Sequence, residues 1–134
     1  MSTEAGPPGA LRIGEVAART ELSFRTLHHW DEVGLLRPSG RTVGGFRLYT
    51  EADVEKLLLI RRMKPLGFTL EVMGEAVRRI ELLREPDAEE SDVAEARELL
   101  RGVLDDADVR RDALVRQLAM AEEFIEVLGR ELDG

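Results

Sequence analysis

Apolar residues follow two rhythms along this chain. Between residues 13 and 83 they form short helical stripes broken by glycine, proline and serine. From residue 92 they recur at steps of four and three without a break. The first rhythm predicts several short helices, and the second predicts one long helix. GEVAART at 14–20 reads as a helix starting at Ile13 or Gly14, with Val16 and Ala17 inward. Glu21-Leu22 is the turn. Ser23 can cap a second helix over about 23–32, because its hydroxyl accepts from an unpaired N–H of the first turn. Leu27, Trp30 and Val33 share one stripe of that helix, leaving Arg25, Thr26, His28 and His29 outward. Gly34 is the expected stop.

Residues 36–49 read as a β-hairpin wing. Ser39-Gly40 and Gly44-Gly45 supply turn chemistry, and Phe46-Arg47-Leu48-Tyr49 alternates as a strand does. Thr50 with Asp53 has the spacing of a capping box. It predicts a third helix over 51–63 with Val54, Leu57, Leu58 and Met63 buried, ended by Pro65 and Gly67. Thr69 caps a fourth helix over 70–83, whose apolar stripe is Leu70, Met73, Val77, Ile80 and Leu83. Residues 84–91 are an acidic linker, and Ser91 is the expected cap of the final helix over 92–132.

The final helix carries two interleaved series, Val93, Leu100, Ala107, Leu114, Ala121, Leu128 and Arg97, Leu104, Arg111, Leu118, Ile125, Leu132. Ten of these twelve positions are apolar, which decides for a coiled-coil seam over an ordinary surface helix. A helix of about 40 residues is about 60 Å long. A domain this small cannot cover it, so a second chain is expected on the seam. Leu100, Leu104, Leu114, Leu118, Ile125 and Leu128 are the expected dimer contacts. Arg97 and Arg111 either extend past the seam to solvent or set register against an acidic residue of the partner.

Composition narrows the chemistry. Aromatics are only 4% of 134 residues, so the core must be aliphatic, which favours a mainly α fold. Cysteine is absent, which excludes disulfides and thiolate sites. The two histidines are neighbours, and neighbours on a helix diverge by about 100°, so no metal or other cofactor is expected. No run approaches the roughly 20 apolar residues of a membrane span. The opening MSTEAGPPGA lacks the features of a signal peptide and reads as a disordered tail over 1–10. The cytoplasm is the expected compartment.

The net charge of −8 argues against a nucleic-acid partner until it is split. Residues 1–82 hold 12 basic and 11 acidic side chains, and residues 83–134 hold 7 and 16. The acid belongs to the long helix. The first part keeps Arg25, Arg37, Arg41, Arg47, Arg61, Arg62 and Lys64 for phosphate.

Five blocks in order, IGEVA at 13–17, RTL at 25–27, GLL at 34–36, GGFR at 44–47 with Tyr49, and LGF at 66–68, resemble the MerR family of bacterial transcription regulators. The HHWDEVGLL stretch is similar to the TipA-like, actinobacterial type of that domain. The resemblance covers about 12–83 and implies a winged helix-turn-helix domain over 11–83. The helix over 92–134 then fits the family's antiparallel dimerisation coiled coil. Members bind double-stranded promoter DNA as homodimers and bend and untwist an over-long spacer for RNA polymerase.

On that reading Ser23, Arg25, Thr26 and His28 face the major groove, where Arg bonds guanine and Thr meets a thymine methyl. His29 stands at a family Tyr that touches phosphate. Arg47, with Arg41 behind it, is the wing's candidate for phosphate or minor groove. Phe46 replaces a wing Tyr and has no hydroxyl to donate. Arg61, Arg62 and Lys64 are candidates for a second wing, with a solvated surface as the alternative. Trp30 and Tyr49 are expected in the core. The effector, if there is one, is unknown. No large ligand domain is expected after the helix.

Two other readings compete. A DNA-architectural or excisionase-like binder would share the fold without promoter switching, but the long seam counts against it. An interaction module using the acidic helix is disfavoured by Arg25, Thr26 and Arg47 standing in register. No nucleophile–base pair is present to suggest an enzyme.

Overall fold

The computed structural model describes residues 4–5 and 9–134. They fall into two compact units, one reaching to Arg78 and the other spanning Arg79–Gly134. In the first unit β1 (Glu4–Ala5) and β2 (Leu11–Arg12) precede α1 (Ile13–Thr20) and α2 (Phe24–Glu32). The wing follows as β3 (Gly40–Thr42) and β4 (Arg47–Tyr49), then α3 (Glu51–Met63) and the start of α4 (Leu70–Arg84).

The sheet is antiparallel in the order β1-β3-β4-β2. The hairpin was expected, but its two flanking strands were not. A two-residue strand is too short to show an alternating pattern, so Leu11–Arg12 and Glu4–Ala5 carry no signal of their own. Glu4–Ala5 lies in the stretch expected to be a disordered tail. Residues 1–3 and 6–8 of that stretch lie outside the described residues.

Local chemistry sets the helix ends. Ser23 Oγ accepts the Thr26 amide at 3.0 Å, capping α2 as expected. Both halves of the Thr50–Asp53 capping box are made. Thr69 Oγ1 accepts from the Val72 amide at 3.2 Å and starts α4. Pro65 follows α3 in a single 3-10 turn over Lys64–Leu66, which Gly67 closes with φ of 81°. Gly34 turns the chain out of α2 at φ 75°. A side chain is strained in that region, so glycine suits both stops.

The core of this unit gathers Val16, Leu27, Trp30, Leu36, Leu48, Tyr49, Val54, Leu57, Ile60, Met63 and Phe68, with Met73, Ala76 and Val77 from α4. α1 packs on both α2 and α3. Trp30 and Tyr49 are buried, as the pattern predicted. Val33 is not: α2 ends at Glu32, so the helical stripe stops one residue short and Val33 is exposed. Leu70 and Leu83 also lie exposed, near the two ends of α4.

The second unit is dominated by α5, Glu90–Asp133, whose 44 residues extend about 66 Å at 1.5 Å per residue. Its N-cap is Glu89 and not Ser91, which sits inside the first turn. The break after α4 is therefore shorter than the expected 84–91. Glu90 and Asp92 stand in that first turn, where negative charge complements the helix dipole and a hydroxyl cap is dispensable. Ala96 is the buried residue of α5, while Leu99, Leu100, Val103 and Ala107 are half-buried. Beyond Ala113 every side chain is exposed, Leu118 at 59% and Ile125 at 66% among them.

Candidate nucleic-acid interface

The outer face of α2 is polar because its apolar residues, Leu27 and Trp30, turn inward. Ser23 caps the helix and donates its hydroxyl hydrogen to Thr26 Oγ1 at 3.0 Å, which fixes the Thr26 rotamer. Arg25 and His29 are exposed, and Thr26 and His28 are half-buried. Together with Trp30, Glu32 and Lys64 they line an open groove of about 740 Å³. Lys64 stands just after α3, and its Nζ lies 5.8 Å from the centroid of the Trp30 ring. An aromatic face draws an ammonium toward it by the ring quadrupole. The turn after α3 thus sets a positive charge against the helix that carries Arg25 and both histidines. Among the described residues Arg25 has no ion-pair partner, so its guanidinium is available to an outside acceptor.

The wing arginines are arranged differently. Arg41 and Arg47 are paired directly across the hairpin. Asp31, in the last turn of α2, reaches between them. Its Oδ2 accepts from Arg47 Nε at 2.7 Å and from Arg41 Nη2 at 3.0 Å. Arg41 Nη1 also donates to the Gly45 carbonyl at 3.4 Å. Asp31 is only 8% exposed. Burial by itself raises its carboxyl pKa. The hydrogen bonds from Arg47 and Arg41 and their positive charge outweigh that and hold it below the ordinary carboxylate value. Tyr49 lies in the same field, and burial raises its phenol pKa. Its hydroxyl has no hydrogen-bond partner among the described residues.

Asp31 did not stand out in the sequence. Its partners lie 10 and 16 residues away, and no helical or strand period links those positions. The one available cue is an acidic residue directly after Trp30 on a helix whose next turn must meet the wing.

A second carboxylate fixes the wing's entrance. Asp53 Oδ2 accepts from the Thr50 amide at 2.9 Å, the Ser39 amide at 3.2 Å and the Ser39 hydroxyl at 2.7 Å. The capping box of α3 therefore also ties down the first residue of the wing turn.

The other candidates do not join the groove. Arg61 is paired with Glu21 at 2.8 Å. Glu21 is the αL cap of α1, so this pair links α3 to the helix-turn-helix turn. Arg62 is exposed. Arg19 and Glu51 form an exposed fork of two bonds, 2.7 and 2.6 Å, which raises the arginine pKa and lowers the carboxyl pKa through the hydrogen bonds they share. On α5, Leu100 is half-buried, while Leu104, Leu114, Leu118, Ile125 and Leu128 are exposed. Arg111 pairs within its own helix, with Asp108 at 3.4 Å and Asp112 at 3.3 Å. Among the described residues no three His, Cys, Asp or Glu side chains are grouped to hold a metal ion. No helix among them is long and apolar enough to cross a membrane.

Comparison with known proteins finds that residues 11–80 match the family described as "MerR HTH family regulatory protein". Nodulation protein NolA of a Bradyrhizobium species (strain NC92) is 36% identical over 107 residues, 74% of this chain and 45% of that protein. The solved N-terminal part of the Bacillus subtilis multidrug transporter activator, MtaN, aligns with TM-score 0.50 and 29% identity, covering 91% of this chain and 97% of that one. HiNmlR, a regulator lacking a sensor domain and solved on promoter DNA, shares the fold with TM-score 0.64 and 21% identity, covering 87% and 88% of the two chains. The chain spans less than half the length of the curated relatives it matches.

Proposed function

The chain belongs to the MerR HTH family of regulatory proteins, and on that premise we propose that it is a sequence-specific, promoter-binding regulator of transcription. The observation that carries this is the groove on α2, where Arg25, Thr26, His28, His29 and Lys64 converge and Arg25 is unpaired. A helix with those side chains on its outer face suits the major groove, where arginine and threonine read base edges. His28 and His29 then act as hydrogen-bond donors to a base or a phosphate, without the fixed charge and fork of arginine. The partner is double-stranded DNA and the compartment is the cytoplasm.

One recognition helix makes few base contacts, so specificity calls for two. The apolar seam of α5 supports a homodimer in which two chains pair antiparallel. Leu104, Leu114, Leu118, Ile125 and Leu128, all exposed in the single chain, become its buried contacts. Such a two-fold dimer reads an inverted repeat. Bending and untwisting the DNA between half-sites costs a few kcal/mol, which many phosphate contacts offset. RNA polymerase is the machine that would use the reshaped promoter.

The test is a footprint on duplexes the chain selects from a random pool. Protection of an inverted repeat is the expected result. Arg25→Ala should weaken specific binding by about 1–3 kcal/mol and relax the base preference at one position of each half-site. A chain that protects no duplex at low salt is not a DNA-binding regulator.

A further inference from the structure

Resting on that DNA-binding reading, we propose that Asp31 is a positioning residue that sets the wing's Arg47 for a phosphate, tying the wing to the recognition helix. Three observations carry it. Arg41 and Arg47 stand directly opposite each other across the hairpin. Like charges in that position repel and would splay the two strands' side chains. Asp31 comes from a different element, α2, and its one oxygen, Oδ2, takes a bond from each arginine. A buried carboxylate needs such compensation, and here the compensation joins three elements at a single atom.

The third observation is which nitrogens are used. Arg47 is held through Nε at 2.7 Å, and its side chain is 25% exposed. The bond at Nε fixes the plane of the guanidinium while the two terminal nitrogens remain as a fork. A fork of that kind matches two phosphate oxygens. Arg41 is engaged at both terminal nitrogens, by Asp31 and by the Gly45 carbonyl, so it serves as a brace. Asp31 thus orients one arginine toward the backbone and uses the other to hold the hairpin. It sits six residues after Arg25 on the same helix. The spacing between the base-reading and phosphate-gripping arginines is therefore set through one side chain. Asp31 itself touches no DNA in this scheme.

A carboxylate beside a DNA surface has two simpler roles, which predict different outcomes. It could only oppose DNA by its charge, or it could only support folding. The experiment uses the full chain, a duplex it selects from a random pool, and a scrambled duplex of equal length, with affinities measured over a range of salt. Asp31→Asn should bind the selected duplex about tenfold or more weakly. Its affinity for the scrambled duplex should hold or rise, because a negative charge is gone. The salt slope on the selected duplex should fall by about one, the value of one lost phosphate contact.

Arg47→Gln should cost about tenfold in the wild-type background but less than about twofold in the Asp31→Asn background, since the contact is already lost there. Asp31→Glu keeps the charge and the neutralised pair and moves the oxygens by one methylene. It should keep the thermal midpoint and scrambled-duplex affinity while losing selected-duplex affinity, which serves if Asp31→Asn unfolds.

Wild-type affinity of Asp31→Glu and Asp31→Asn for the selected duplex overturns the proposal. So does tighter binding of Asp31→Asn to both duplexes, or an Arg47→Gln penalty equal in both backgrounds. A parallel fall in both affinities that tracks lost thermal stability marks a folding role and overturns it too. A wild-type chain that selects no duplex overturns the DNA-binding reading itself, a result distinct from all of these.

Discussion

Replacing Asp53 by alanine removes three hydrogen bonds that converge on one oxygen. Asp53 is 2% exposed, and Oδ2 accepts from the Thr50 amide, the Ser39 amide and the Ser39 hydroxyl. Losing its half of the capping box costs about 1 kcal/mol. The Ser39 amide loses its acceptor at a part-buried site, worth about 1–2 kcal/mol. The Ser39 hydroxyl can rotate toward water and adds little. Relief of the carboxylate's own desolvation offsets part of the total, so the net cost is about 2–3 kcal/mol. For a unit of this size that lowers the melting midpoint by roughly 10–20 °C.

Asp53→Asn retains an oxygen at the same place and loses only the charge, so it should cost about 1 kcal/mol. The assay is urea unfolding followed by the fluorescence of Trp30. It is the only tryptophan in the chain and is buried in the first unit, whereas circular dichroism is weighted toward α5. An Asp53→Ala midpoint within about 0.5 kcal/mol of wild type would refute the reasoning. So would equal losses from the two variants, since acceptor geometry would then not matter.

Leu118→Glu should leave the single chain folded, because that side chain is 59% exposed there, but should dissociate the dimer. Two copies each lose about 1.5–3 kcal/mol of leucine burial, and sedimentation equilibrium showing an intact dimer contradicts the seam. Gly102→Ala should stabilise the chain by about 0.5–1 kcal/mol, since Gly102 is inside α5 and a methyl group there meets nothing within 4 Å. A lower urea midpoint would mean that another backbone approaches that position. Asp31 has a lowered pKa in the fold, so its charge contributes stability above the unfolded value, and that contribution disappears as pH falls through the folded one. The stability gap between wild type and Asp31→Asn, read from urea midpoints, should therefore close as pH drops below about 4; a gap that persists in acid contradicts the assignment.

Elements governed by neighbouring residues were legible in the sequence. Ser23, the Thr50–Asp53 box, Thr69 and Gly34 act within a turn of where they stand, and each does what its position predicts. Legibility failed where partners are distant or signals compete. Ser91 was the best hydroxyl cap available, but α5 begins at Glu89–Glu90, where negative charge already favours a helix start. The strand at Leu11–Arg12 exists because β4 offers it an edge. Its own two residues predict nothing.

The candidate interface divides the same way. Arg25, Thr26, His28 and His29 share a helical face, so their convergence follows from spacing. Arg41 and Arg47 were legible as basic wing residues, but their restraint by Asp31 was not. That restraint depends on how α2 meets the hairpin, which no local pattern encodes.

The wing is pinned at two places, Ser39 by Asp53 and the facing strands by Asp31. Beyond those pins the tip at Val43, Gly44 and Gly45 is exposed, and a side chain added at Gly45 would have open space around it. Residues can be gained or lost there without moving either anchor. Hairpin length is thus free to drift between descendants of this sequence while the geometry beneath it is inherited unchanged. The same tip is a natural insertion point for a reporter peptide.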